Sequence, residues 1–559
     1  MNTEFQSPYN PSKIDELLEN SLRYKDSLGL PKKFAENENF KLGDQWPAVS
    51  EKTKSFPRPV LNICNYIVEH KTAQIQAENI KTVFTSQGDA KLGELFTRFS
   101  DSEYERLKMT DVNANILDDA AVKGLGITYY YIEPDMRGQV KLQVERIDPT
   151  NIHVSNPKEV DIQKMSWVIV LQRLPLHEIK KMAISNGVNP EMITADKDVK
   201  GSEYKNKDVD IDGVEKANLI NFFYKSEDGS IRIIKSCNNV VVQEDLNLEI
   251  NKYPFAVMQW TNKTEDFYSK AEIDFIKSNQ RQINTLAGLQ LMNQQLAGFP
   301  KMWTKKGALK PNSVKGTIGE ILVDNSQGQQ LNFGWLQAPQ LNQFASVLQS
   351  DLMNNTKALQ GAHDVDTGSG KADNATAIML LQKRSGVALD KIKRKYHQYI
   401  EDIARIWLEF YCNYYIIDRE FSYQDHLGQE QIAVFNADGV LPDALNIKVD
   451  IGVSSAWSEE FTLNALDKFL QMNLIDFKTY LKYVPSNVVP FKESLLKDME
   501  MKEEQQALEA QEYLISLMND EEKRLFFSLP DEKQQEVLLK MAQQEQALGQ
   551  AQNGMPVQK

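Results

Sequence analysis

Cysteine is scarce. The 559 residues carry three thiols, Cys64, Cys237 and Cys412, far apart and without a C-x-x-C pair. That spacing excludes a disulfide framework and a cysteine zinc site, and predicts buried thiols. The six histidines are equally sparse, with no H-E-x-x-H and no facial-triad spacing. No apolar run reaches the roughly 18 residues that a membrane span needs, in keeping with a mean hydropathy of -0.47, so no membrane partner is expected. The start, MNTEFQSPYN, lacks the basic and apolar stretches of a secretory leader, which predicts assembly in the cytoplasm. Positive charge is in deficit: 64 Lys and Arg against 78 Asp and Glu give a net charge of -14. Lysines and arginines hold polyphosphate by displacing its counterions, so this balance opposes tight, non-specific binding to it.

What is present is length, enough for several subregions rather than one core. The first 123 residues read as helical. Ser12–Leu28 is amphipathic, with Ser12 and Asp15 spaced to cap it; FKLGDQW at 40–46 reads as a turn; Ile63–Glu78 and one long segment, Lys91–Lys123, follow as helices. Gly124 and Gly126 end the latter, where a chain can turn without a Cβ. From Ile127 the pattern alternates, predicting strands in ITYYYIEPD, QVKLQVERIDP, NIHVS, SWVIVLQ, NLINFFY, IRIIKS, NVVVQ and YPFAVMQW, interrupted by a helix at Leu176–Ser185 and a charged loop at 195–213.

A helix from about Lys270 to Ala297 is crowded with amides, Gln280, Gln282, Asn284 and Gln290 among them. Its apolar stripe is too thin to fold alone, so it is expected to pack on copies of itself or on its sequel. Strand-like pieces GEILVD and NFGWLQ lie in the insert 301–339, and a second helix, Leu341–Leu359, returns from it with Leu341, Phe344, Leu348, Leu352 and Leu359 at helical spacing. A polar stretch, GAHDVDTGSGKADNAT at 361–376, then precedes the clearest helix of the chain. Its apolar positions step by three and four from Ile378 to Tyr414, roughly 60 Å at 1.5 Å per residue. REFSYQ, EQIAVFN and LNIKVDIG are expected to add strands to the β-rich body, and the remainder from Ser458 is expected to be helical.

Candidate chemistry fails on inspection. GSGKA at 368–372 has Val365 where a phosphate-binding loop needs glycine and Ala372 where it needs Ser or Thr. His363, Asp364 and Asp366 have the composition of a solvated turn, and LHEIK at 176–180 lacks a second histidine, reading as an exposed helix start. The pairs Asp118/Asp119 and Glu459/Glu460 read as solvated helix faces, as does the basic cluster Lys391, Lys393, Arg394 and Lys395, whose other reading is a contact to a neighbour or DNA.

Taken in order, a β body, a helix, a small β knob, a helix, a glycine-rich loop, a very long helix and a helical tail resemble the portal proteins of tailed double-stranded DNA bacteriophages. The segments FKLGDQW, RPVLNICNYIVEH, AAVKGLGITYYYIEPD, ERIDPTNIHV, YPFAVMQW and IDFIKSNQRQINTL, with NATAIMLLQKRSGVALDKIKRKYHQYIEDIARIWLEF, are similar to recurrent segments of that family.

The resemblance implies an α+β portal fold: a β-rich wing (1–267), a two-helix stem (268–299 and 341–360), a small α/β clip (300–340), a channel loop (361–374), the long helix with remaining wing strands (375–457), and a helical crown with a disordered tail (458–559). It implies a dodecameric ring at one capsid vertex, the passage for DNA packaging and ejection, with no catalytic residue, metal or cofactor. Implied partners are the terminase large subunit, the head-tail adaptor, the major capsid and scaffolding proteins, and DNA passing without sequence specificity. Asp364, Asp366, Thr367, Ser369 and Lys371 are then expected to face DNA. Trp303, Lys305, Lys306, Lys310, Lys315 and Trp335 are expected to dock partners, and Gln280, Gln282, Asn284 and Gln290 to contact neighbouring subunits. Two other readings stay open: another oligomeric virion component, such as a tail or baseplate adaptor, and a metal-dependent hydrolase using scattered carboxylates.

Overall fold

A computed structural model describes residues 8–51, 53–77, 79–86, 89–135, 138–196, 214–298, 301–304, 333–336, 344–362, 389–424, 430–452, 456–472 and 474–484, with isolated positions beyond. The architecture is mixed α+β. It divides into two compact units, residues 1–423 with 432–452, and residues 424–431 with 453–559.

The first unit opens with α1 (Pro11–Ser27) and α2 (Leu30–Leu42). The cap of α1 is Asn10, whose side chain accepts from the Lys13 amide at 2.9 Å; this replaces the expected Ser12, because Pro11 already occupies the first helical turn. Phe40, Lys41 and Leu42 belong to α2, so the expected turn shrinks to the residues from Gly43 on, with Gly43 at φ 95. After α3 (Ile63–Gln76) comes a strand that sequence periodicity missed, β1 (Asn79–Ser86). The single helix expected at 91–123 is two, α4 (Ala90–Arg106) and α5 (Met109–Lys123), because Lys108 takes a left-handed conformation, φ 51, and reverses the chain. Gly124, at φ 93, ends α5; a Cβ there would sit 2.3 Å from the Ser269 carbonyl oxygen.

Two antiparallel sheets form the body. One has the order β3-β2-β9, built from β2 (Leu125–Pro134), β3 (Val140–Ile147) and β9 (Phe255–Gln259). The other is the meander β4 (Ile152–Val154), β5 (Trp167–Pro175), β6 (Lys216–Lys225), β7 (Ile231–Cys237) and β8 (Val240–Asn247), with α6 (Leu176–Ser185) against it. The outer edge of β3 is closed by side chains: the Tyr415 hydroxyl accepts from the Leu142 amide at 2.8 Å, and Arg106 and Arg419 donate to the Leu142 and Val140 carbonyls. An edge so capped cannot template a further strand.

Short β10 (Thr261–Lys263) and β11 (Asp266–Lys270) lead into α7 (Ile273–Gly298), then β12 (Lys301–Thr304), β13 (Phe333–Leu336) and α8 (Phe344–Leu359). The described part of the long expected helix is α9 (Asp390–Tyr414); its predicted start, 378–388, lies outside the described residues. Ile392, Tyr396, Tyr399, Ile403, Trp407 and Tyr411 are buried on α9, which runs through the main core. Burying side chains of this size contributes roughly 1.5–3 kcal/mol each. At its end Phe96, Phe99, Tyr411, Tyr415 and Phe435 pack as an aromatic cluster, with Phe99 stacked on Phe435 at 3.9 Å. β14 (Arg419–Gln424) and β15 (Glu430–Phe435) make their own two-stranded sheet, and β16 (Leu445–Gly452) pairs with β1; neither extends the two body sheets as expected.

In the second unit α10 (Ala456–Gln471) and α11 (Phe477–Tyr483) follow one another. Asp476 caps α11, and the Tyr480 hydroxyl donates to Asp467 at 2.7 Å.

Candidate functional site

The element that distinguishes this chain is the pair α7 and α8 with β12 and β13 between them. The two helices run antiparallel, since Asn279 donates to the Thr356 hydroxyl at 2.9 Å while Gln349, earlier on α8, reaches the Ile283 carbonyl later on α7, at 3.5 Å. β12 and β13 pair antiparallel with Trp303 opposite Gly334 and Trp335 opposite Met302. Lys305, Lys306, Lys310 and Lys315 lie outside the described residues, as do Asp364, Asp366, Thr367, Ser369 and Lys371.

The base of α7 is anchored by the N-terminal segment on successive turns. Asp274 accepts from the Ala271 amide at 3.0 Å, from Asn37 at 3.0 Å and from Lys33 at 2.6 Å. Glu36 pairs with Lys277 at 2.7 Å and with Arg281. Gln280 is wholly buried: its oxygen accepts from the Ile63 and Cys64 amides at 2.9 and 3.2 Å, and its nitrogen donates to the Leu61 carbonyl at 2.7 Å. Asn284, also buried, donates to Gln45 at 2.6 Å and accepts from the Leu61 amide at 3.1 Å. Farther along, Gly288 lies so close to Phe56 and Pro57 that a Cβ would stand 2.6 Å from the Phe56 ring.

This corrects the expectation for two of the amides. Gln280 and Asn284 face their own chain, where buried amide groups require partners and find them at the start of α3. Gln282 is exposed, and Gln290 is half-buried with its side-chain nitrogen unpartnered. The anchoring residues Asp274, Glu36 and Gly288 escaped sequence reasoning; Asp274, a carboxylate in the first turn of a helix, is the one that a capping pattern could have signalled.

The hairpin buries Ile276 and Ile283 of α7 in the main core and packs Leu352 and Met353 of α8 against it, but leaves a second set of apolar residues outside. α8 buries Gln349 and Thr356, whereas Phe344, Val347, Leu348 and Leu359 are exposed, Phe344 at 65 % and Leu359 at 79 %. On α7, Phe275, Leu289 and Leu291 are exposed as well. Of the stripe expected at Leu341, Phe344, Leu348, Leu352 and Leu359, Phe344, Leu348 and Leu359 are exposed, Leu352 packs against the core, and Leu341 lies outside the described residues. An exposed apolar face on a helix pair whose inner side is already packed is the arrangement of a surface completed by another.

Lys71 and Glu272 form a buried ion pair at 2.6 Å, and Glu272 also accepts from the Trp260 indole at 2.9 Å. Asp119, expected on a solvated face, is buried between Arg146, at 2.7 Å, and Lys123, at 3.5 Å. Lys395 of the basic cluster donates to the Trp260 carbonyl at 2.9 Å, and burial, with Lys391 nearby, pushes its amine down to about 8. Asp402 lines a cavity of about 380 Å³ between α9 and β9; burial, then Glu401 and Asp161, push its carboxyl up to about 6 against the opposing Gln398 bond. All three cysteines are buried, and burial pushes the Cys64 and Cys412 thiols up to about 12. Among the described residues no three His, Cys, Asp or Glu side chains gather as a metal requires, and no helix is long and apolar enough to cross a membrane.

No protein-family model matches the chain, and no curated protein matches it either.

Proposed function

We propose that the chain is a portal subunit, one of a ring of identical copies around a channel for double-stranded DNA at one capsid vertex. The observation that carries this reading is the outer face of the hairpin: α7 and α8 pair with each other and with their own chain through Asn279, Gln280, Asn284 and Thr356, and leave Phe344, Val347, Leu348 and Leu291 outward. Identical neighbours side by side would cover such faces. The element order adds support, with a β body, α7, the β12–β13 pair, α8 and then α9 set through the core. In portal terms α7 and α8 are the stem, residues 300–340 the clip that docks terminase and later the head-tail adaptor, and 361–374 the channel loop. A net charge of -14 suits a passage that must release phosphate rather than hold it. ATP hydrolysis falls to the terminase.

Negative-stain electron microscopy of the purified protein tests the proposal. Flat-topped rings with a central hole support it, and a monodisperse monomer overturns it. An outward apolar hairpin also fits another ring-forming virion component, so incorporation at one vertex of the capsid, rather than in the tail, separates the two readings.

A further inference from the structure

The N-terminal helix α1 is held on the body by an unusual pair of polar anchors. Its residues Ile14 and Leu18, wholly buried, pack on Ile169 and Leu171 of β5, Ile220 and Phe222 of β6 and Ile234 of β7. On the same stripe, at the next two helical steps, stand Ser21 and Lys25. The Ser21 hydroxyl meets His153 Nδ1 on β4 at 2.9 Å. The Lys25 ammonium enters a cradle of three backbone carbonyls, Pro149 at 3.1 Å, Thr150 at 2.8 Å and Ile152, with its nitrogen 5.5 Å from the centroid of the Tyr268 ring. His153 is completely buried, and its Nε2 has no hydrogen-bond partner.

We propose that α1 is an acid-released strap: protonation of His153 undocks the helix and uncovers the apolar face of β5, β6 and β7. Neutral imidazole fits this site because one ring nitrogen is bonded and the other is sealed in apolar surroundings. A second proton would create an N–H with no acceptor, next to a buried ammonium that has already used the nearby carbonyls. The charged and titratable groups around the pair are Lys25 and Asp26 of α1, Asp148 in the turn before β4, and Tyr268 of β11 with Tyr24 beyond it. Asp148 is itself bound by Lys123 at 2.8 Å, so its charge is shared.

The sign follows from the shifts. Burial, and then Lys25, hold His153 well below 6.5 in the docked state, whereas the released imidazole titrates near 6.5. Docking is therefore unaffected by His153 above that pH and weakens about tenfold per unit below it, roughly 30-fold by pH 5. Burial pushes Lys25 down to about 7, so above pH 6.5 its own titration also weakens docking as pH falls; below 6.5 it is mostly charged in both states and adds little slope.

Hydrogen exchange on the full-length protein tests the strap, read as protection factors for residues 14–27 relative to β5 and β6. Protection is expected to fall roughly 15-fold between pH 6.5 and 5.0, the window in which Lys25 adds little, with a parallel rise in binding of a hydrophobic dye. His153→Gln, which keeps a polar partner for Ser21 but cannot titrate, is expected to abolish the fall; Ser21→Ala, which leaves the imidazole in place, is expected to keep it. Unchanged wild-type protection at pH 5.0 overturns the proposal, and so does an acid response that survives in His153→Gln. If His153→Gln does not dock, the Ser21→Ala variant decides: an acid response sustains the strap, and none overturns it.

Discussion

The side-chain oxygen of Gln280 accepts from the Ile63 amide at 2.9 Å, so a residue in the second turn of α7 caps a helix that begins 217 positions earlier. The bond joins the outward hairpin to the N-terminal helices. It turns an amide that would be unremarkable on a helix surface into part of the frame.

Replacing Gln280 by alanine removes this cap together with the donor to the Leu61 carbonyl. The Cys64 amide then stays buried without an acceptor, and Ile63 keeps only its bond to the Leu61 carbonyl at 2.8 Å, at a cost of about 1–3 kcal/mol. Equilibrium denaturation of Gln280→Ala is expected to show a lower midpoint with an unchanged slope. A midpoint equal to wild type would mean that water replaces the side chain and that the cap contributes nothing.

Gly288→Ala tests the same attachment from the other side. Its new methyl would meet the Phe56 ring at 2.6 Å and the Pro57 carbonyl oxygen at 2.8 Å. Alanine is the better helix former, so α7 by itself gains; the contact nevertheless predicts a net loss of about 1–3 kcal/mol as the 53–62 segment lifts. Faster proteolysis confined to that segment would be the signature, and a stabilised protein would refute the close packing.

The buried pair Lys71 and Glu272 gives a sharper sign. Lys71→Met leaves a carboxylate buried with only the Trp260 indole as partner, which costs about 3–5 kcal/mol. Adding Glu272→Gln removes the stranded charge, so the double variant is expected to recover most of the loss in thermal or urea unfolding. Additive losses would mean that the two residues do not act as a pair.

How much of this was readable beforehand follows from what each signal depends on. Strands β2 to β9, helix α6 and the described part of α9 announce themselves by local alternation or by three-and-four spacing, and residues close in sequence decide both. The partner of β1 is β16, with Ser86 opposite Leu445, and nothing local to either segment shows that pairing. The break at Lys108 was equally hidden, because a lysine in the left-handed conformation carries no glycine to mark it. At the hairpin, composition revealed the density of amides but not their destination: Gln280 and Gln282 are two residues apart, one buried in a bonding network and the other exposed. The apolar stripe of α8 was legible as a stripe, yet the direction it faces depends on where Gln349 and Thr356 find partners on α7.

Asp402 predicts a pH dependence. Its carboxyl titrates near 6 in the folded chain, against 3.8 for the free group, mainly through burial. A raised folded value means that its stabilising contribution is complete below 3.8 and is lost as pH rises through 6. Asp402→Asn is therefore expected to be more stable than wild type at pH 7.5 by roughly 1–3 kcal/mol, the difference closing as pH falls toward 4. A constant difference across that range would show that the asparagine acts through packing instead.

The outer and inner faces of α8 should respond to mutation in opposite ways. Phe344 is 65 % and Leu348 39 % exposed in the single chain, so Phe344→Gln with Leu348→Gln changes the stability of an isolated subunit modestly, by about 0.5 kcal/mol per site. If neighbouring copies cover this face, the same change strips the ring of apolar contact, and sizing by light scattering is expected to shift from rings to monomers. Thr356→Val does the reverse: it is nearly isosteric and buried, and it leaves the Asn279 amide without its acceptor, so the subunit itself loses about 1–2 kcal/mol while its outer face is untouched. A ring that survives the outer double substitution, in a subunit whose own melting falls sharply, would assign Phe344 and Leu348 to folding and remove the hairpin as the reason for assembly.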